Sequence, residues 1–124
     1  MLSLDLTSRQ PVMRNSVNTS RILRFGVFEV DLQTAELRKH GLRIHLQEQP
    51  FQILALLLER QGDFVTREEI CRKLWPDHAV VDRNRSLNKG VAKLRSALGD
   101  SAEDSRYVGT LHRRGYRFLA PITF

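Results

Sequence analysis

The stretch RSLNKGVAKLRSALGD, Arg85–Asp100, restricts the fold more than any other part of this 124-residue chain. Placed on a helical wheel, Leu87, Val91, Leu94 and Leu98 fall in one narrow seam that can dock on a core. The opposite arc holds Arg95, Asn88, Ala92, Arg85, Ser96, Lys89, Lys93 and Ser86. Every long polar side chain there is cationic or a neutral hydrogen-bonder. An ordinary solvated face mixes both signs, so this helix lies on a core with a one-signed face turned outward. Gly90 sits on the flank, where it costs roughly 1 kcal/mol against alanine. Close approach to a partner or tight packing offsets that cost.

The charge of the whole chain follows the same division. The net charge is +6, yet the 83–117 segment alone carries nine cations against three acids. Residues 23–82 carry eight cations and ten acids, and residues 1–22 three and one. An excess gathered in about a quarter of the chain points to an anionic partner there. Cys71 is the only cysteine, so no internal disulfide forms. A buried apolar role and a reducing, cytoplasmic setting are expected. No apolar run has the length of a signal-peptide core or a membrane span, so neither is expected.

Residues 1–22 are rich in Ser, Thr, Asn and Arg without a sustained period and predict a flexible tail. One domain is then expected over 23–124. The alternation in RFGVFEVDL (Arg24–Leu32) predicts one strand. AELRKHGLRIHL predicts two more, joined at His40-Gly41, giving a three-stranded antiparallel sheet. Pro50 starts a first helix over about Gln49–Gln61, with Phe51, Ile53, Leu54, Leu57 and Leu58 inward and Gly62 as its stop. Phe64-Val65 makes a short strand. Thr66-Arg67-Glu68-Glu69 is a capping box that opens a second helix over Arg67–Trp75, ended by Pro76. Trp75 and Phe51 read as core. A polar loop, Pro76–Asp82, precedes the third helix over about 83–98. An acidic loop leads to a hairpin with its tip at His112-Arg113-Arg114-Gly115 and Tyr116 packed beneath it.

The resulting class is α+β, a winged helix-turn-helix: a small N-terminal antiparallel sheet, three helices and a C-terminal β-hairpin wing. In that geometry the third helix enters the major groove and the hairpin tip reaches backbone or minor groove. The residue types suit the task. Arg pairs with guanine O6 and N7, Asn with adenine N6 and N7, and Lys contacts guanine or phosphate. Short residues (Ser86, Gly90, Ala92, Ser96) allow a close approach. Lys89, Asn88 and Arg95 are expected at base edges, and Arg113 and Arg114 on backbone.

KLRSALGD followed by YVGTLHRRGYRF resembles the output-domain signature of the OmpR/PhoB-type winged helix proteins. FGVFEVDLQTAELRKHG and TREEICRKLWP match as well, so the resemblance covers about Leu23–Ile122. The LHRRGYRF ending is similar to the ToxR/CadC-like subgroup, in which this domain comes first. The resemblance implies sequence-specific binding of double-stranded DNA and control of transcription. It implies helix contacts at Arg85, Ser86, Asn88, Lys89, Lys93 and Arg95, and wing contacts at Thr110, His112, Arg113 and Arg114. It also implies an RNA polymerase contact in the Pro76–Asp82 loop (Pro76, Asp77, His78, Asp82) and head-to-tail pairing on direct repeats. Two departures stand out. Two arginines occupy a tip that is often glycine-rich, and Gly90 and Ala92 stand where long polar residues are common. No receiver domain lies in these residues, so phosphorelay signalling enters only through the resemblance.

No nucleophile motif, phosphate-cradling loop or metal-ligand spacing is present, and neither an enzyme nor a cofactor is expected. Another class stays open: a basic module that docks on RNA polymerase or another acidic protein with little DNA specificity. RNA binding is a third, against which stands the lack of aromatics for base stacking on the exposed arc of the third helix.

Overall fold

The computed structural model describes residues 22–124. The tail expected over 1–22 lies outside them, except for Ile22, which opens the first strand. Four strands, β1 (Ile22–Phe25), β2 (Phe28–Asp31), β3 (Glu36–Lys39) and β4 (Leu42–Ile44), form an antiparallel sheet in chain order. The sheet has one strand more than expected, because Arg24–Leu32 is a hairpin rather than one strand. Gly26, at φ +53°, and Val27 turn the chain. Phe25 and Phe28 thereby become cross-strand partners on the same buried face, while Val27 is left exposed. His40 and Gly41 make the turn expected of them. Both have positive φ, 52° and 82°, as a type I′ hairpin requires.

Three helices follow: α1 (Glu48–Glu59), α2 (Arg67–Leu74) and α3 (Val80–Leu98). The inward residues expected of α1 are all buried, with Ile53, Leu54, Leu57 and Leu58 fully so. Each such side chain contributes about 1.5–3 kcal/mol. The helix stops earlier than expected, because Gln61 is already left-handed before Gly62 is reached. The capping box is half realised. Thr66 Oγ1 accepts from the Glu69 N–H at 3.0 Å, but the Glu69 carboxylate pairs with Arg60 instead. Trp75 is buried and caps α2 before Pro76. The third helix begins three residues ahead of the expected start. Ala79 offers no side-chain cap to mark it, and Asp82 lies in its first turn, where a carboxylate suits the helix dipole.

The second sheet has the order β5-β7-β6, from β5 (Val65–Thr66), β6 (Val108–Leu111) and β7 (Gly115–Phe118). Phe25, Phe28, Tyr107 and Phe118 pack together, mostly edge to face, with centroids 4.8–6.3 Å apart, and join the two sheets. An isolated bridge between Arg24 and Thr123 adds a second tie.

Candidate nucleic-acid interface

The seam on α3 is buried as expected, with Leu87, Val91, Leu94 and Leu98 at 3% exposure or less. Gly90 is buried too. A Cβ there would stand 2.7 Å from Ile53 Cδ1, so this glycine lets α1 and α3 pack closely. The helix ends in a Schellman motif. Gly99, left-handed at φ 67°, donates to Ser96 O, and Asp100 N–H reaches Arg95 O at 2.8 Å.

The outward face carries Arg85, Asn88, Lys89, Ala92, Lys93 and Ser96 exposed, with Ser86 half-buried. Among the described residues Arg85 meets an acid only at 4.0 Å, in Asp82, a pair of little worth at the surface. Lys93 Nζ donates to Gln47 Oε1 at 2.6 Å. Lys89 and Lys93 line a groove of about 470 Å³ against Gln47–Pro50 at the start of α1.

Two of the expected base-edge residues are held from within. Arg95 donates to Val108 O at 2.8 Å and to Thr110 Oγ1 at 2.5 Å, with its guanidinium 5.9 Å from the Tyr116 ring centroid. It braces the wing against α3. Asn88 Oδ1 accepts from Arg67 Nη2 at 2.9 Å. The same guanidinium reaches Asn84 Oδ1, Asn84 O and, through Nη1, the Tyr116 hydroxyl at 2.9 Å. Arg67 thus ties the start of α2 to α3 and to the wing.

The wing tip, His112–Arg114, is exposed and closed by Arg114 N–H donating to Leu111 O at 2.9 Å. Arg113 occupies it with φ 60°, a region glycine takes more cheaply. The Arg67 N–H donates to Arg114 O at 2.8 Å. Arg113 and Arg114 therefore stand beside α2, and with Arg67, Arg83 and Asn84 they line a groove of about 340 Å³. Tyr116 is 6% exposed under the wing. Of the loop residues, Pro76, Asp77 and His78 are exposed ahead of α3, whereas Asp82 belongs to the helix. Cys71 is buried. Burial pushes its thiol up against the opposing pull of Arg67 and Arg83, which suits a packing role.

Asp100 sets the distance between helix and wing. Its carboxylate accepts the backbone N–H groups of Arg106, Tyr107 and Val108 at 2.7–3.1 Å. Burial alone would raise its pKa. The N–H groups of Arg106, Val108, Tyr107 and Ser101 together outweigh that and hold it below the usual value. Its stabilising contribution is therefore present above the unfolded value of about 3.9 and lost as pH falls through the lower folded one. Asp100→Ala is expected to destabilise by about 2 kcal/mol at neutral pH. The gap between variant and wild type should close in melts taken progressively below pH 4 or so. A gap that persists undiminished at pH 2 or so would refute the charged role of Asp100.

Arg67, Asn84, Asp100 and Gln47 were not singled out from the sequence. Arg67 carries only a helix-start signal, and Asp100 reads as one acid in a loop.

Comparison with known proteins adds to this geometry. Residues 41–118 match the family model described as "Transcriptional regulatory protein, C terminal". The transcriptional activator CadC of Escherichia coli is 24% identical over 102 residues, 82% of this chain and 20% of CadC. Among solved structures, the response regulator DrrB of Thermotoga maritima, an OmpR/PhoB homologue, superposes with a TM-score of 0.72 at 30% identity, over 80% of this chain and 44% of DrrB. The RstA DNA-binding domain of Klebsiella pneumoniae, solved with its RstA box, gives 0.70 at 22% identity, over 80% and 97%. The chain spans 17–49% of the length of the curated relatives it matches first.

Proposed function

The chain belongs to the family of transcriptional regulatory protein C-terminal domains, and from that premise we propose that it binds double-stranded DNA sequence-specifically to regulate transcription. The domain is of the kind that serves response regulators as their output. In this reading α3 enters the major groove and the tip of the wing holds backbone. The observation that carries it is the outward face of α3. From Arg85 to Ser96 it holds no acid, and Arg85, Asn88, Lys89 and Lys93 are exposed on it. The tip arginines, Arg113 and Arg114, continue the cationic surface beside α2.

Within this reading Lys89, Asn88 and Arg85 face bases, with Ser86 and Lys93 at the edge of the footprint. Arg113, Arg114 and His112 hold phosphate. Arg95 acts through the wing, whose Thr110 it positions. Pro76, Asp77, His78 and Asp82 form the candidate polymerase contact, and two copies lie head to tail on direct repeats.

Selection of bound duplexes from a random pool tests the proposal, followed by titration of the winner against a scrambled duplex. Enrichment of a short motif is expected. Lys89→Ala should then cost about 1–3 kcal/mol on the selected site and flatten specificity, whereas Arg113→Ala should weaken all duplexes alike. Equal losses on selected and scrambled duplexes for both variants would overturn the division of roles. Binding without any motif would leave a module that docks on an acidic protein.

A further inference from the structure

We propose that Arg67 is a positioning residue that makes Asn88 a hydrogen-bond donor only, so that Asn88 reads a guanine edge and not an adenine edge. The inference rests on the DNA-binding reading above and specifies its base chemistry. Asparagine is otherwise the residue suited to adenine, because its carboxamide donates to N7 and accepts from N6 at once. That pairing needs Oδ1 free on the groove side.

Here Oδ1 is engaged. It accepts from Arg67 Nη2 at 2.9 Å. A guanidinium has no acceptor, so the oxygen and not the nitrogen of the carboxamide must face it. Among the described residues Nδ2 meets no acceptor, so its two hydrogens are left for a partner in the groove. The guanidinium is itself fixed, by Asn84 Oδ1 at 3.2 Å, Asn84 O at 3.3 Å and the Tyr116 hydroxyl at 2.9 Å. Asn84 is locked in turn, since its Nδ2 donates to Val80 O. Oδ1 of Asn88 keeps a second lone pair. An adenine amino group using it would bring its partially positive hydrogens against an immobile cation. The same cation polarises the carboxamide and strengthens Nδ2 as a donor.

The neighbouring long side chains, Arg85, Lys89 and Lys93, also donate only. With Asn88 restricted in this way, every long side chain on the exposed face of α3 offers hydrogens to the groove. Guanine alone presents two acceptors, O6 and N7, on its major-groove edge.

The test uses the full chain and duplexes selected from a random pool. The base whose preference disappears in Asn88→Ala marks the contact. For wild type that base should be guanine, and 7-deazaguanine in its place should weaken binding by about tenfold. In Arg67→Met the carboxamide is released. The preference at that position should move toward adenine, and a purine lacking the N6 amino group should bind this variant about tenfold more weakly than adenine. Asn88→Asp keeps the bond to Arg67 but has no hydrogen to give. It should abandon guanine for cytosine, whose N4 group donates, and it serves as the readout if Arg67→Met does not fold. A wild-type contact that is adenine and depends on its N6 amino group would overturn the proposal while leaving sequence reading intact. An unchanged preference in Asn88→Asp would do the same. Selection that enriches no motif would overturn the DNA-reading premise and this inference with it.

Discussion

Gly115→Ala is expected to lower stability by about 3 kcal/mol, a fall of roughly 10–20 °C in melting temperature for a domain of this size. The reason is the pairing of β7 with β5. A Cβ at Gly115 would overlap the Val65 carbonyl oxygen and stand 2.9 Å from both Thr66 Cα and the Phe64 ring. Two of these obstacles are backbone, so relief requires β5 to leave β7. With β5 goes the turn that seats Arg67. Gly90→Ala is the instructive contrast. Its obstacle is the Cδ1 end of Ile53, which can swing aside, and alanine gains about 1 kcal/mol of helix propensity. That variant should melt within a few degrees of wild type. Parallel thermal melts check both. Equal melting of Gly115→Ala and wild type would disprove the close β5–β7 contact.

The second large effect is on affinity. Between 50 and 200 mM salt, binding to a selected duplex is expected to weaken by about 10³-fold, a log–log slope near −5 for about six neutralised phosphates. Arg83, Lys93, Arg113 and Arg114 lie against phosphates, Arg85 and Lys89 add their charge from the base edges of the same groove, and all but the half-buried Arg83 are exposed. Removing Arg113 and Arg114 together should make the slope about two units shallower. A slope shallower than about −2 in the wild type would mean that this surface does not hold a phosphate backbone. Docking on an acidic protein would then be the better account.

The helices were legible in the sequence because their signals are local. Pro50, Thr66 and Pro76 each mark an end through their own backbone or side chain, and the apolar spacing of Phe51–Leu58 and Leu87–Leu98 names the buried faces. The start of α3 was not, since Ala79-Val80-Val81 carries no capping side chain. The β1–β2 turn was hidden because the alternation of FGVFEV passes for one strand. At the candidate site, the cationic residues were legible from the wheel. Their partners were not. Arg67 meets residues 17, 21 and 49 positions away, and no spacing rule anticipates such a convergence. The wheel puts Arg95 and Asn88 on the outward arc, but the bonds that commit their acceptors and donors exist only once α2, α3 and the wing have assembled.

Asp100 has a consequence for the geometry of any duplex this domain grips. By accepting the N–H groups of Arg106, Tyr107 and Val108, the last of which opens β6, it ties the start of the hairpin to the end of α3 as the joint of a calliper. DNA rises about 3.4 Å per base pair and turns about 35° with it. One base pair inserted between the stretch under α3 and the backbone under the wing would carry the second contact away by both amounts at once. Under the DNA-binding function proposed above, such a calliper measures distance as well as sequence, and its target is a ruled length of duplex.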